Sequence, residues 1–290
     1  STPSSVVGLT GVTAISAGFS GACAVHGGAV SCWGENGYGQ LGSGDTHGTL
    51  TPVAVQGLTD AADLATGNYF SCASRASGGI ACWGDNGSGQ LGDGTSSNAT
   101  TPFAAVGTAD ATEVAVGYGH SCARGAAGGI SCWGSNYLGR LGDGTDDNAS
   151  TPVATGGITD ATAIASGRLH SCAVVGGGSV RCWGSNELGQ LGNGTGVDAW
   201  RPVPATGVTD AVALSAGHTH SCALRSGGAV SCWGSSGRGQ LGSNVEVGKL
   251  SAVPVAVPGI SGATKIASGD FSNCVIVTGG TVRCWGGNTS

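Results

Sequence analysis

The sequence predicts an all-β protein, a six-bladed β-propeller with four short strands in each blade. Three observations predict it. First, a tryptophan-centred motif recurs at Trp33, Trp83, Trp133, Trp183, Trp233 and Trp285, in steps of 50, 50, 50, 50 and 52 residues. Such a period marks a repeat architecture, one supersecondary unit per repeat. Second, each unit holds four short stretches in which apolar residues alternate, bounded by Gly clusters, and no helical stripe. Third, the sixth unit stops after Trp285 without a Pro-Val segment, while Thr2-Pro3 and Val6-Val7-Gly8-Leu9-Thr10 align with residues 51–59. The first strand of the chain is therefore expected to complete the last blade, which leaves the ring no open sheet edge. One domain over 1–290 follows, with blades at about 5–55, 56–105, 106–155, 156–205, 206–257 and 258–290 plus 1–4.

The fourth unit shows the elements in order. Residues 162–167, Thr-Ala-Ile-Ala-Ser-Gly, give a first strand that ends at Gly167. His170-Ser-Cys-Ala-Val174 is the second, Gly176-Gly177-Gly178 the turn, and Ser179-Val-Arg-Cys-Trp-Gly184 the third. The segment from Asn186 to Gly192 then leads to a fourth strand around Arg201-Pro202-Val203.

The cysteines fall into pairs within units: Cys23/Cys32, Cys72/Cys82, Cys122/Cys132, Cys172/Cys182, Cys222/Cys232 and Cys274/Cys284. A hairpin centred on Gly177 sets Ala173 opposite Arg181 and Cys172 opposite Cys182. A two-residue Gly27-Gly28 turn sets Val25 opposite Val30 and Cys23 opposite Cys32. Directly opposed strand residues lie within disulfide reach. Zinc would want C-x2-C pairs converging with histidine, and no C-x-x-C occurs. Buried free thiols are the other alternative. Six local disulfides imply an oxidising compartment, so a secreted or cell-surface protein is expected. The tryptophan after each second cysteine is expected to fill the gap between neighbouring blades.

Composition narrows the function. Net charge is −6 with 11 Lys plus Arg and no basic run. Nucleic acid is therefore not an expected partner, and no apolar run is long enough to span a bilayer. No G-x-S-x-G, H-E-x-x-H or P-loop is present, so no enzyme, catalytic residue, cofactor or metal is expected. Adjacent His-Ser pairs at 120–121, 170–171 and 220–221 point to opposite strand faces, which is wrong for a nucleophile and its base. A histidine column at His120, His170 and His220 could ring a metal, but a structural role is favoured. Asp143, Asp146, Asp147 and Asn148 match no EF-hand spacing.

The motif W-G-x-N-x-x-G-Q-L-G, preceded by G-H-S-x-A, resembles the regulator of chromosome condensation repeat family over essentially the whole chain. The resemblance implies a β-propeller and no single function, since members include a nucleotide-exchange factor for a nuclear GTPase, a plant ultraviolet photoreceptor and secreted bacterial inhibitors of β-lactamase. Its best-known members have seven blades, so six is a departure. A six-bladed, secreted, bacterial-type member is expected.

Strand direction alternates, so the loops between strands one and two and between strands three and four emerge on one face. That face carries the variety: Phe19; Asn68, Tyr69 and Phe70; Tyr118 and His120; Arg168, Leu169 and His170; His218 and His220; Asp270 and Phe271. The second loop set adds Tyr38, Tyr137, Leu138, Glu187, Leu188 and Arg238. Aromatics, Arg and His gathered on a bland repeat are what a protein-binding surface uses. The expected function is a monomeric propeller that binds a protein or other macromolecule through this face, near the central channel. The alternatives are an enzyme or lyase at the channel mouth, and a purely structural cell-surface module.

Overall fold

The computed structural model describes residues 5–287. The fold is an all-β, six-bladed propeller of antiparallel sheets, and each sheet follows chain order from strand to strand. Blade 1 comprises Val12–Ala17, Gly21–His26, Ala29–Gly34 and Thr49–Ala54. Blade 4 comprises Ala163–Ser166, His170–Val175, Ser179–Gly184 and Ala199–Pro204. Blades 2, 3 and 5 repeat the pattern. Blade 6 has three strands among the described residues: Ala263–Ser268, Ser272–Val277 and Val282–Gly286.

The strand expected to complete blade 6 starts at Thr2-Pro3, and residues 1–4 lie outside the described residues. Residues 5–11 carry no strand, only a turn at Val7-Gly8. Gly8 there has φ +86°, as Gly57 has φ +73° in the turn after the fourth strand of blade 1. Residues 6–8 thus share the local turn of residues 55–57.

The chain divides into two compact units. Unit 1 holds residues 5–126, 131–135 and 148–153, and unit 2 holds residues 127–130, 136–147 and 154–287. Each has its own core. In unit 1, one apolar cluster joins Val25, Val30 and Leu41 to Leu64 and Trp83, and another joins Phe70, Ile80 and Leu91 to Trp133. In unit 2, Val174, Val180 and Leu191 pack with Val208 and Trp233, and Leu224, Val230 and Leu241 pack with Val257 and Val275.

The hairpin registers match the expectation. Cys172 faces Cys182 and Ala173 faces Arg181, while Val25 faces Val30 and Cys23 faces Cys32. All six expected pairs are disulfides, with Cα–Cα distances of 4.0–4.1 Å.

Each tryptophan of the Cys-Trp-Gly motif from Trp83 onward reaches back to the preceding blade. The Trp83 Nε1–H donates to the Gln40 carbonyl at 2.9 Å and Trp133 to Gln90 at 2.8 Å. Trp183 donates to Arg140, Trp233 to Gln190 and Trp285 to Gln240 at 2.9–3.0 Å. The ring lies flat against the glycine of the preceding Leu-Gly. A Cβ on Gly192 would stand 2.8 Å from the Trp233 ring and one on Gly142 2.7 Å from Trp183. Glycine is required there by close approach, and its positive φ of 71° and 72° adds to the requirement. Trp83, Trp133, Trp183 and Trp233 are fully buried, whereas Trp33 is only half-buried.

The glycine after each tryptophan serves a second end. In blade 4 the register of the third and fourth strands shifts between Cys182 and Gly184, a bulge that leaves Trp183 without a cross-strand partner in the fourth strand. Gly184 takes φ +102°, and a Cβ on it would meet the Leu169 carbonyl at 2.5 Å.

The loop after this bulge is stapled by one buried asparagine. Asn186 Oδ1 accepts the Leu191 N–H at 3.0 Å, while its Nδ2 donates to the Thr195 and Val197 carbonyls. Asn36 and Asn86 repeat the arrangement in unit 1. Asp143 belongs to the same staple: its Oδ1 accepts from Asn136 and from the Thr145 N–H.

Candidate functional site

In each four-stranded sheet, antiparallel order brings the one-two loop and the three-four loop out at the same end. Their side chains meet. In unit 1, Phe19 and Tyr69 come from the one-two loops of blades 1 and 2, and their rings stand edge to face at 6.2 Å. Tyr38, from the three-four loop of blade 1, lies 4.9 Å from Tyr69. Phe19 is 70 % exposed and Tyr38 43 %. Tyr118 is half-exposed as well. Asn68 borders this set, its carbonyl accepting from Ser20 Oγ.

Unit 2 gathers a polar counterpart. His218 stacks on Phe271 at 5.3 Å, and the Arg238 guanidinium covers the other side of the loop, 4.7 Å from the Phe271 ring centroid. Arg168 Nη1 donates to His218 Nε2. The His218 N–H donates to the Asp270 carbonyl at 3.1 Å, so the one-two loops of blades 5 and 6 are tied together. Burial and the Arg168 charge hold the His218 imidazolium below its ordinary pKa, against an opposing pull from Asp270. Between the loops of blade 4 and the one-two loop of blade 5 lies a recess of about 120 Å³, whose lining includes Arg168, Leu169, Glu187, Leu188, Gln190 and His218.

Four residues expected at this surface are instead inside the blades. Phe70 is 1 % exposed, and His120, His170 and His220 are 0 % exposed. The cause is the glycine that ends each first strand: a Cβ on Gly67 would collide with the Phe70 ring, and on Gly167 with the His170 ring. The ring three residues on fills the space the glycine leaves, so this column packs the blade interior and is not available to a partner.

His170 and His220 are neutral donors. Ser221 Oγ donates to the Gln190 carbonyl at 2.9 Å and must therefore accept from His170 Nε2–H at 2.8 Å. His220 Nε2 donates to Asn273 Oδ1 at 2.9 Å. Their Nδ1 atoms are buried without a partner, as fits the unprotonated nitrogen of this tautomer. Complete burial lowers the His170 pKa to about 3, and burial likewise lowers that of His220. A His–Ser pair does form, between blades and not between the sequence neighbours, but it is sealed from substrate and the serine proton points away from the imidazole. No cluster of three metal-ligating side chains exists among the described residues.

Sequence reasoning missed one buried charged residue in the three-four loop of blade 3. Arg140 takes the place of the repeat's glutamine and is 4 % exposed, with its Nε donating to the Tyr137 carbonyl at 3.0 Å. The signal was legible as Gly-Arg-Leu-Gly in a motif that otherwise reads Gly-Gln-Leu-Gly.

The family follows from comparison. The model of the regulator of chromosome condensation (RCC1) repeat matches residues 27–74, 77–124, 128–174 and 177–224. The chain belongs to the RCC1 repeat family. A second model of the RCC1 repeat matches residues 61–90, 161–190, 211–240 and 263–290, which extends the assignment to the last blade. No curated protein sequence matches this chain. Among solved structures, yeast RCC1 (Prp20) bound to Kap60 is similar, with a TM-score of 0.83, 20 % identity, and 95 % of this chain and 70 % of that chain covered. Prp20p of Saccharomyces cerevisiae, in a structure described with its binding properties to Gsp1p and histones, gives 0.81 and 21 % over 94 % and 71 %. Human WBSCR16 gives 0.82 and 20 % over 95 % and 76 %. At these identities the likeness is one of fold, and this RCC1-repeat chain spans about three quarters of each neighbour.

Proposed function

We propose that this protein is a secreted propeller scaffold that binds a protein partner through the face carrying the one-two and three-four loops. One observation carries the reading: side chains on those loops, in units with a uniform framework, gather into clusters of exposed and half-buried groups. Phe19, Tyr38 and Tyr69 do so in unit 1, and Arg168, His218, Arg238 and Phe271 in unit 2. The framework residues Trp, Asn, Leu and Gly account for folding without them. Exposed aromatics and arginines on a rigid scaffold suit anchoring in a partner's pockets. Six disulfides suit an oxidising compartment, which supports secretion. Yeast RCC1, a relative in fold, is solved with a protein bound, which favours a binding role over catalysis. The sealed His170–Ser221 pair supports the same choice.

The test is affinity capture from the source's extracellular medium, followed by affinity measurement with the recovered protein. Tyr69→Ala and Phe271→Ala should each weaken binding about tenfold or more with no drop in melting temperature. Arg225→Ala, at the hairpin end of blade 5 and paired there with Asp210 at 2.6 Å, should leave affinity unchanged. The reverse pattern would place the site on the other face.

A further inference from the structure

Blade 1 lacks a side chain that its siblings carry. In blades 2 to 5 the third residue after the glycine that ends the first strand bears a ring, Phe70, His120, His170 or His220, and each ring is buried. In blade 1 this residue is Gly21. A recess of about 20 Å³ opens there, with Gly18, Ser20, Gly21, Gln40, Asn68 and Ser71 in its lining. That is room for one water-sized group. The absent ring also leaves an acceptor. In blade 4 the His170 ring donates to Ser221 Oγ, which in turn donates to the Gln190 carbonyl. Ser71 holds the same place against Gln40. It is 3 % exposed and donates to the Gln40 carbonyl at 3.4 Å. Among the described residues, no N–H or O–H donates to Ser71 Oγ in return.

The surface around the recess sets the charge of what it takes. The lining residues flank the exposed rings: Gly18 and Ser20 adjoin Phe19, and Asn68 and Phe70 adjoin Tyr69. The three-four loops of blades 1 and 2 hold Glu35, Asp45, Asp85 and Asp93, and no lysine or arginine. Unit 1 as a whole has two basic residues, Arg75 and Arg124, against eight acidic ones, while unit 2 has nine of each. The net charge of −6 therefore resides on unit 1. Arg75 and Arg124 are already paired, with Asp60 and Glu113. An acidic surface draws in a cation, and exposed ring faces attract it at short range. A lysine ammonium is a compact charge with three donors, so it suits a water-sized recess with an open acceptor. A planar guanidinium does not.

We propose that the recess at Gly21 and Ser71 takes the ammonium of a lysine on the protein partner, with Phe19, Tyr38 and Tyr69 beside its stem. This rests on the loop face being the binding surface, and the test separates the two. The probes are peptides labelled with fluorescein at the N-terminus, so that lysine supplies the only amine. They are Gly-Ser-Lys-Gly-Lys-Ser-Gly and its counterparts with arginine or glutamine for lysine, read by anisotropy. At low salt lysine should bind about fivefold more tightly than arginine, the worth of one hydrogen bond, and arginine more tightly than glutamine. High salt should erase the difference between arginine and glutamine and leave lysine ahead. Ser71→Ala gives up only a 3.4 Å bond, so it should keep its melting temperature and yet bring lysine down to the level of arginine. Phe19→Leu, at an exposed ring, should weaken the lysine peptide about threefold. Asp110→Asn removes one negative charge at the hairpin end, where the Asp110 carbonyl accepts the Ala126 N–H at 3.0 Å, and should leave the ranking unchanged. The proposal is overturned if no peptide binds, if lysine and arginine bind alike, if Ser71→Ala leaves the preference intact, or if Asp110→Asn lowers it equally. If Tyr69→Ala weakens the captured protein partner while Ser71→Ala changes neither readout, the face stands and the lysine assignment falls.

Discussion

The indole nitrogen of Trp183 donates to the backbone carbonyl of Arg140, 43 residues earlier, at 2.9 Å. The same bond recurs wherever a tryptophan follows a complete unit, and it ties each blade to the one before. Its ring covers Gly142 while its N–H satisfies a carbonyl that has no sheet partner. Trp183→Phe should therefore cost about 2–4 kcal/mol, from a partly empty site and the lost hydrogen bond to a buried carbonyl. Chemical denaturation would show a lower midpoint with an unchanged slope.

Trp33 stands apart from Trp83, Trp133, Trp183 and Trp233 in being only half-buried. Trp33, Trp285 and the outer-strand Trp200, which is 44 % exposed, are open to solvent to some degree, while the other four are sealed. Limited N-bromosuccinimide treatment of the native protein should modify these three first. Peptide mapping that finds Trp83 or Trp183 oxidised at the same rate would contradict the blade packing described above.

The disulfides should differ in the same way. Cys284 is exposed, whereas Cys32, Cys82, Cys132, Cys182 and Cys232 are 0 % exposed. Thiol exchange needs access to a sulfur. Mild reductant should open Cys274–Cys284 first, with the other five resisting until the protein unfolds. Full reduction should lower stability steeply, since each bridge closes a loop of about ten residues and contributes about 2–3 kcal/mol.

Acid should unfold the protein through its buried histidines. The folded pKa of His170 lies near 3, well below its unfolded value near 6.5. The unfolded chain therefore binds the proton first as pH falls. The stability this site contributes is complete above about pH 6.5 and is lost toward pH 3, at about 1.4 kcal/mol per pH unit. His220, lowered by burial too, adds to the slope. His170→Gln can still donate to Ser221, and its melting temperature should fall less steeply between pH 6 and 4 than that of the unmodified protein. Equal slopes would show that His170 is not buried neutral.

Leu138 carries the strain of the blade 3 loop, with φ +64°. Left-handed backbone costs a non-glycine residue about 1–2 kcal/mol. Leu138→Gly should remove that cost and raise the melting temperature by a few degrees, and a lower melting temperature would show that the leucine's packing outweighs the strain.

What was legible in the sequence was whatever a single blade decides. The Cys172–Cys182 register follows from a glycine turn and alternation along two adjacent strands, so it could be read directly. Contacts between blades join residues about one repeat apart, and no local pattern encodes them. The His170–Ser221 bond spans 51 residues, and the adjacent His-Ser pairs concealed it. Phe70, His120, His170 and His220 were grouped with the loop surface because they flank variable residues, although a structural role was favoured for the histidine column. The space above Gly67 and Gly167 that draws the ring inward appears only when the strand is bent. Phe19, Tyr69, Arg168, His218 and Phe271 could be assigned to one set of loops because aromatics and cations stand out against a bland repeat. Arg140 was overlooked as framework, although its departure from glutamine was the clue.

The binding face itself is tested most directly by site-specific photocrosslinking to the recovered partner. Benzoylphenylalanine would replace Phe19, Tyr118 and Phe271 on the loop face, and Ser77, Ala127 and Ser226 at the hairpin ends, where all three are exposed. The account predicts crosslinks from the first set and none from the second. Crosslinks confined to Ser77, Ala127 and Ser226 would contradict it.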